Sequence, residues 1–120
     1  MIVYFREKNG SAPLVVWLDG LPEKAGFKCL ARLRLLASEG HRLRRPAADY
    51  LRDGIYELRV RVGNVQYRIL YFFHGHFSVV VSHGFTKHEA AVPPVEIEQA
   101  LRRKQAFEAD PPGHTYPETL

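Results

Sequence analysis

Cysteine is almost missing from this chain, long apolar runs are missing altogether, and no segment repeats. With Cys29 alone an intrachain disulfide is excluded, which suits a reducing compartment, so a cytoplasmic location is expected. The longest apolar runs, such as Ile69 to Phe73, are too short to span a bilayer, so no membrane role is expected. Nor is a secretory leader expected, because Arg6, Glu7 and Lys8 interrupt the apolar start from Met1 to Phe5. A metal-ligand set is lacking as well. His74 and His76 lie two apart and His83 is a further candidate, but neither a cysteine set nor a third well-spaced ligand accompanies them. No metal and no cofactor is expected.

What is present is a single-domain length, 120 residues, enough to bury a core without staples. Seventeen Lys and Arg against thirteen Asp and Glu give a net charge of +4. Such a balance favours polyanions through long-range attraction and counterion release, and equally suits an acidic protein partner.

Ile2 to Arg6 reads as a first strand. Ser11 can cap a helix with Pro13 in its first turn and Leu14, Val15, Trp17, Leu18 and Leu21 at helical spacing. A second helix runs from about Glu23 to Ser38 and stops at Gly40, with Cys29, Leu30, Leu33, Leu36 and Ala37 on one side. His41 to Asp53 reads as basic and irregular, carrying Arg42, Arg44 and Arg45, and Arg52-Asp53-Gly54 turns the chain into a strand-rich half. Strands are expected over Ile55 to Val62, Val65 to Phe73 and Phe77 to Phe85, joined by turns at Gly63-Asn64 and His74-Gly75. Pro93 and Pro94 open a last helix. From Asp110 the prolines and Gly113 suggest a loose tail, so residues 1–109 are expected to form the domain and 110–120 a flexible Pro-rich extension. The order β-α-α-β-β-β-α is an α+β arrangement, a curved antiparallel sheet packed against two N-terminal helices.

Strand alternation says which side chains share a face. Tyr56, Leu58, Val60 and Val62 should meet the helices, while Ile55, Glu57, Arg59 and Arg61 face outward. A two-residue turn at Gly63-Asn64 pairs Arg61 with Gln66 and Arg59 with Arg68. Like charges opposite each other destabilise a ladder unless an anion supplies the missing charge. Carrying the register through His74-Gly75 brings Val81 beside Arg68 and His83 beside Gln66. The outward face then gathers Glu57, Arg59, Arg61, Gln66, Arg68 and His83, with Lys87 and His88 at its rim. The plainer alternative is a solvated face on which Glu57 neutralises Arg59 or Arg68.

Three ordered segments carry a resemblance. Leu51-Arg52-Asp53-Gly54-Ile55-Tyr56-Glu57-Leu58-Arg59, then Tyr67-Arg68-Ile69-Leu70-Tyr71-Phe72-Phe73, then His83-Gly84-Phe85-Thr86-Lys87 followed by Pro93 resemble signatures of the HigB-like, phage-derived branch of the RelE/ParE toxin superfamily. The chain departs from that pattern at His88, where a second lysine is common, and from Glu89 to Val92, where the pattern is more basic. The resemblance implies a RelE-like fold and a type II toxin paired with a helix-turn-helix antitoxin, with operator DNA reached only through the antitoxin. It further implies cleavage of mRNA, on the ribosome in many members, with Arg68 at the scissile phosphate and Arg59 and Lys87 in the same groove.

Cleavage of this kind needs no metal: the ribose 2′-hydroxyl attacks the adjacent phosphate while the 5′-oxygen leaves. Fixed cations at Arg59, Arg61, Arg68 and Lys87 suit the developing charge. His83, His88 and Glu57 are candidate proton carriers, with histidine favoured by its near-neutral pKa. Arg44, Arg45 and Gln66 join Arg61 as candidate RNA contacts. Two other functions remain open on sequence: a non-enzymatic inhibitor of DNA gyrase, as among ParE relatives, and a degenerate phage protein that only binds its antitoxin.

Overall fold

The computed structural model describes residues 1–117. In chain order it contains β1 (Ile2–Tyr4), α1 (Pro13–Asp19), α2 (Glu23–Glu39), β2 (Ala48–Arg52), β3 (Ile55–Val62), β4 (Val65–His74), β5 (Ser78–Lys87) and α3 (Pro94–Ala109), with short 3₁₀ turns at Gly40–Arg42 and Pro112–His114. The five strands form one sheet in the order β1-β5-β4-β3-β2. Every pairing is antiparallel except β1 with β5. The mixed α+β class expected from the sequence is the class observed, and it is compatible with a RelE-like fold.

Helices cover both faces of this sheet. On one face Leu58, Val60, Tyr67, Ile69, Tyr71, Val79 and Val81 pack with Leu14 of α1 and Ala25, Cys29, Leu33 and Leu36 of α2. Burial pushes the Cys29 thiol up to about 11, so it behaves as a small apolar side chain. Ala37, expected on the same side of α2, is exposed. On the other face Val3, Phe5, Ile55, Leu70, Phe72 and Val80 pack against Ile97, Ala100 and Phe107 of α3. Ile55, expected to face outward with the charged set, is therefore core.

Two other local expectations are corrected. Ser11 does not cap α1. Ala12 holds the N-cap position without a side-chain bond, and the Ser11 amide donates to Asn9 Oδ1 instead. The stretch read as irregular contains β2, which pairs with β3 across the Asp53-Gly54 turn. Asp53 and Gly54 both have positive φ, 53° and 83°, as the tight turn between twisted strands requires.

The β3–β4 register is the expected one, with Val62 opposite Val65, Arg61 opposite Gln66 and Arg59 opposite Arg68. The next hairpin differs. His74 pairs Ser78, so Gly75, His76 and Phe77 form a longer turn, and a bulge follows where Leu70 pairs His83 but Tyr71 pairs Val81. Arg68 consequently lies opposite Phe85 and Gln66 opposite Lys87, in place of Val81 and His83. The longer turn alone would have moved His83 and Lys87 to the helix-α2 face. The extra residue at the bulge, Ser82, returns them to the arginine face.

Where the sequence suggests a loose tail from Asp110, residues 110–117 lie along β1. Phe5 bridges Thr115, the Tyr116 amide donates to the Tyr4 carbonyl at 2.9 Å, and the buried His114 ring stacks on Phe5 at 4.9 Å. A short extended segment on an otherwise open strand edge satisfies backbone groups that water would have to take. The remainder of the expected tail, 118–120, lies outside the described residues.

Gly84 makes the closest helix–strand approach on the α1 side: a β-carbon there would run into the Trp17 indole. Gly84→Ala is expected to destabilise the fold by about 1–3 kcal/mol through overpacking. In a Trp17→Leu background the same change should cost much less, and urea denaturation of the four proteins measures that coupling.

Candidate nucleic-acid interface

The charged residues stand beyond the part of the α3-side face that packs against α3. Alternation along β3 places Glu57, Arg59 and Arg61 on it; β4 adds Gln66 and Arg68, and β5 adds Phe85 and Lys87. Arg59, Arg61, Gln66 and Arg68 line a cleft of about 340 Å³ together with Arg32 of α2 and Pro46.

Glu57 explains how Arg59 and Arg68 stand opposite each other. Its Oε1 accepts from Arg68 Nε at 2.6 Å and from Arg59 Nε at 3.3 Å. The Glu57 and Arg68 side chains are only 5% and 7% exposed. Arg68 is held further by bonds from Nη1 to the Tyr67 carbonyl and from Nη2 to Gln66 Oε1. Arg59 reaches a second carboxylate, Asp49 Oδ2, at 3.4 Å, and Arg45 clasps the same oxygen at 2.6 Å. The hydrogen bonds from Arg45, and then the Tyr50 amide and the nearby cations, hold the Asp49 carboxyl below the usual carboxylate range. Arg45, Asp49, Arg59, Glu57 and Arg68 thus form one continuous ionic chain that leads from the Arg45 segment into the arginine cleft. Cations outnumber carboxylates in it, so it remains net positive.

Of the expected proton carriers, His83 lies on the correct face but beneath α3. Its Nδ1 meets Ser82 Oγ at 2.8 Å and its Nε2 meets Glu96 Oε1 at 3.0 Å, so both ring nitrogens are engaged. Burial lowers its pKa below the ordinary 6.5, with the hydrogen bond to Glu96 opposing and the Arg103 charge adding to the shift. His88 is exposed just beyond β5, and Lys87 is partly exposed at the end of that strand. Arg61 is exposed, with Nε bonded to the Gly63 carbonyl. Arg44 and Arg45 do not line the arginine cleft. They line a separate, larger one of about 590 Å³ with His41, Tyr50 and Tyr56. His74 and His76 sit at the β4–β5 turn, and no group of three or more His, Cys, Asp or Glu side chains is placed to hold a metal among the described residues.

Sequence reasoning missed Arg32, Asp49 and Glu96. Reading Asp53-Gly54 as a hairpin turn makes the segment before it a strand, but the plain two-residue register sets Asp49 opposite Leu58; a bulge between Tyr50 and Arg52 brings it opposite Glu57 and onto the arginine face. Arg32 and Glu96 reach the face from helices, and no local pattern announces that.

Glu57→Ala leaves a buried guanidinium without its carboxylate and should destabilise the fold by about 3–5 kcal/mol. Replacing Glu57 and Arg68 together by Met should cost far less, as chemical denaturation can measure. His83 generates a pH dependence of defined sign. The folded chain resists protonation that the unfolded chain accepts near 6.5, so this stabilisation is complete above that value and declines as pH falls below it. Between pH 7.5 and 5.5 stability should fall with a slope of at most about 1.4 kcal/mol per unit, and His83→Gln should flatten it. Equal slopes in both proteins would contradict this account.

No curated protein gives a significant match to the chain. A family model does: that of phage derived protein Gp49-like (DUF891), over residues 16–105. The match runs from within α1 to within α3 and so includes every strand that builds the cationic cleft. The chain belongs to this phage-derived Gp49-like family, a RelE-like toxin family.

Proposed function

We propose that this protein is the toxin of a type II toxin–antitoxin pair, of the HigB-like branch, and that it cleaves mRNA on the ribosome without a metal. The observation that carries the reading is the pairing of Arg59 with Arg68 across β3 and β4, inside a cleft that also holds Arg61. Family membership supports the toxin role. The ionic chain supports the chemistry, because its guanidinium groups are fixed before substrate arrives and need not reorganise as charge develops.

In this reading the RNA backbone lies along the cleft with one phosphate over Arg68. Its Nη protons that are not bonded to Tyr67 or Gln66, together with Arg59, Arg61 and Lys87, stabilise the phosphorane-like transition state. The 2′-oxygen bonds to phosphorus, the bond to the 5′-oxygen breaks, and a 2′,3′-cyclic phosphate and a free 5′-hydroxyl result. One proton leaves the 2′-hydroxyl and one reaches the 5′-oxygen. His88 is the proton carrier in this reading, since it is exposed just beyond β5 whereas both ring nitrogens of His83 are engaged. Glu57 serves chiefly as the counterion that holds the two arginines, and His83 as the residue that seats α3 through Glu96. The helix-turn-helix antitoxin is the expected partner, and operator DNA is reached through it.

Lys87→Ala and His88→Ala, at positions that are not buried, should each lower cleavage of mRNA in a translating extract by about 10- to 100-fold without a change in melting temperature. Arg68→Lys keeps the charge but loses the planar fork, and should lower it about 100-fold or more. If the wild-type chain cleaves no RNA but blocks gyrase supercoiling, the inhibitor reading replaces this one. If it does neither and cell growth is unaffected, only antitoxin binding remains.

A further inference from the structure

The larger of the two clefts is not used by this mechanism. It lies at the β2 edge and is lined by His41, Leu43, Arg44, Arg45, Tyr50 and Tyr56, with a volume of about 590 Å³ that falls in the range of small-molecule sites. Its rings are set in place by packing. Tyr56 stacks on Tyr71 at 5.4 Å, Tyr50 meets Tyr56 edge-on at 5.0 Å, and His41 stacks on Phe73 at 3.6 Å. Tyr50 is nevertheless 52% exposed, a large aromatic surface held out to solvent. Its hydroxyl accepts from the Gly54 amide at 3.0 Å, which fixes the ring further.

The charges around these rings suit an anion. Arg44 is exposed and makes no ion pair among the described residues. Asp49, the one carboxylate of the lining, is fully engaged: Oδ2 by Arg45 and Arg59, Oδ1 by the Tyr50 amide. It offers a phosphate little repulsion. Asp49 also joins this cleft to the arginine cleft, because Arg45 lines one and Arg59 the other.

We propose that this aromatic cleft is a nucleotide subsite, taking one base of a single-stranded RNA against Tyr50 and its phosphate on Arg44, next to the nucleotides that cross the arginine cleft. The proposal rests on the RNA reading of that cleft. Pre-set flat rings beside a guanidinium group that has no ion pair among the described residues, Arg44, are what a stacked base and its phosphate need, and stacking tolerates any base. An acidic peptide would use the cations but has no comparable use for an exposed, packed tyrosine face.

The test measures binding to the full chain by calorimetry, with nucleoside monophosphates, inorganic phosphate and an acidic peptide as probes. A 2′-deoxy-blocked oligoribonucleotide is added in two lengths that differ by one flanking nucleotide. Monophosphates should bind at least about tenfold more tightly than inorganic phosphate. Tyr50→Ala and Arg44→Ala should each weaken that binding about tenfold, and Tyr50→Phe should restore it, which separates stacking from loss of fold. Lys24→Ala, at an exposed cation that lines neither cleft, should leave monophosphate affinity unchanged. The longer oligonucleotide should bind more tightly than the shorter one in the wild type but not in Tyr50→Ala. Monophosphates binding no better than phosphate, indifference to Tyr50→Ala, or a preference for the acidic peptide would each overturn the proposal. Tyr50-dependent nucleotide binding without any RNA cleavage would remove the ribonuclease reading and leave the subsite. Cleavage without Tyr50-dependent binding would do the reverse.

Discussion

The buried pair of Glu57 and Arg68, with Arg59 sharing the same carboxylate oxygen, is the interaction on which the site depends. Two arginines opposite each other on neighbouring strands repel, and a nearly buried guanidinium must find several acceptors. Glu57 meets both requirements from an adjacent position on the same face. Gln66 and the Tyr67 carbonyl complete the set around Arg68, and Asp49 restrains Arg59 from the neighbouring strand. The outcome is a rigid, net-positive wall rather than a set of solvated side chains. Its arginines are oriented in advance, and preorganisation of that kind supports the phosphate chemistry proposed above.

A second constraint divides the arginine face between structure and function. Toward one end of the strands the side chains on this face are Ile55, Leu70, Phe72 and Val80, and α3 covers them. Toward the other end they are mostly charged, and among the described residues Glu57, Arg59 and Arg68 stand outside the cluster that α3 joins. His83 lies on the boundary. Its bonds to Ser82 and Glu96 tie β5 to α3, and Arg103, bonded to Glu7 and close to Ser82 Oγ, extends that tie to the loop after β1. The bulge at Ser82 is what puts this junction, and Lys87 beyond it, on the same face as Arg68.

Much of this was legible in the sequence because period-2 alternation and turn chemistry are local. Gly63-Asn64 set the β3–β4 register, and with it the facing arginines. Alternation in β3 separated Leu58 and Val60 from Glu57 and Arg59. The signal weakened where structure stopped being local. The β4–β5 turn holds three residues rather than two, and the bulge adds one more; the apolar run Val79-Val80-Val81 is compatible with several registers. β2 was hidden in a short basic segment, and with it Asp49 and the aromatic cleft around Tyr50. The segment after Asp110 looked loose by composition, yet the residues described there up to 117 are docked by backbone bonds to β1, which no local pattern encodes.

By itself, then, the sequence determined the α+β class, the family signatures, the β3–β4 hairpin and the identity of the cations on its outer face. These follow from residue periodicity, turn residues and net charge, all of which act over a few positions. Only the tertiary structure decided that Glu57 neutralises both arginines, that α3 closes over His83, that Asp49 links two clefts, and that Tyr50 is held exposed beside Arg44. Those outcomes depend on which elements meet in space, and burial rather than spacing selects the partners of each charge.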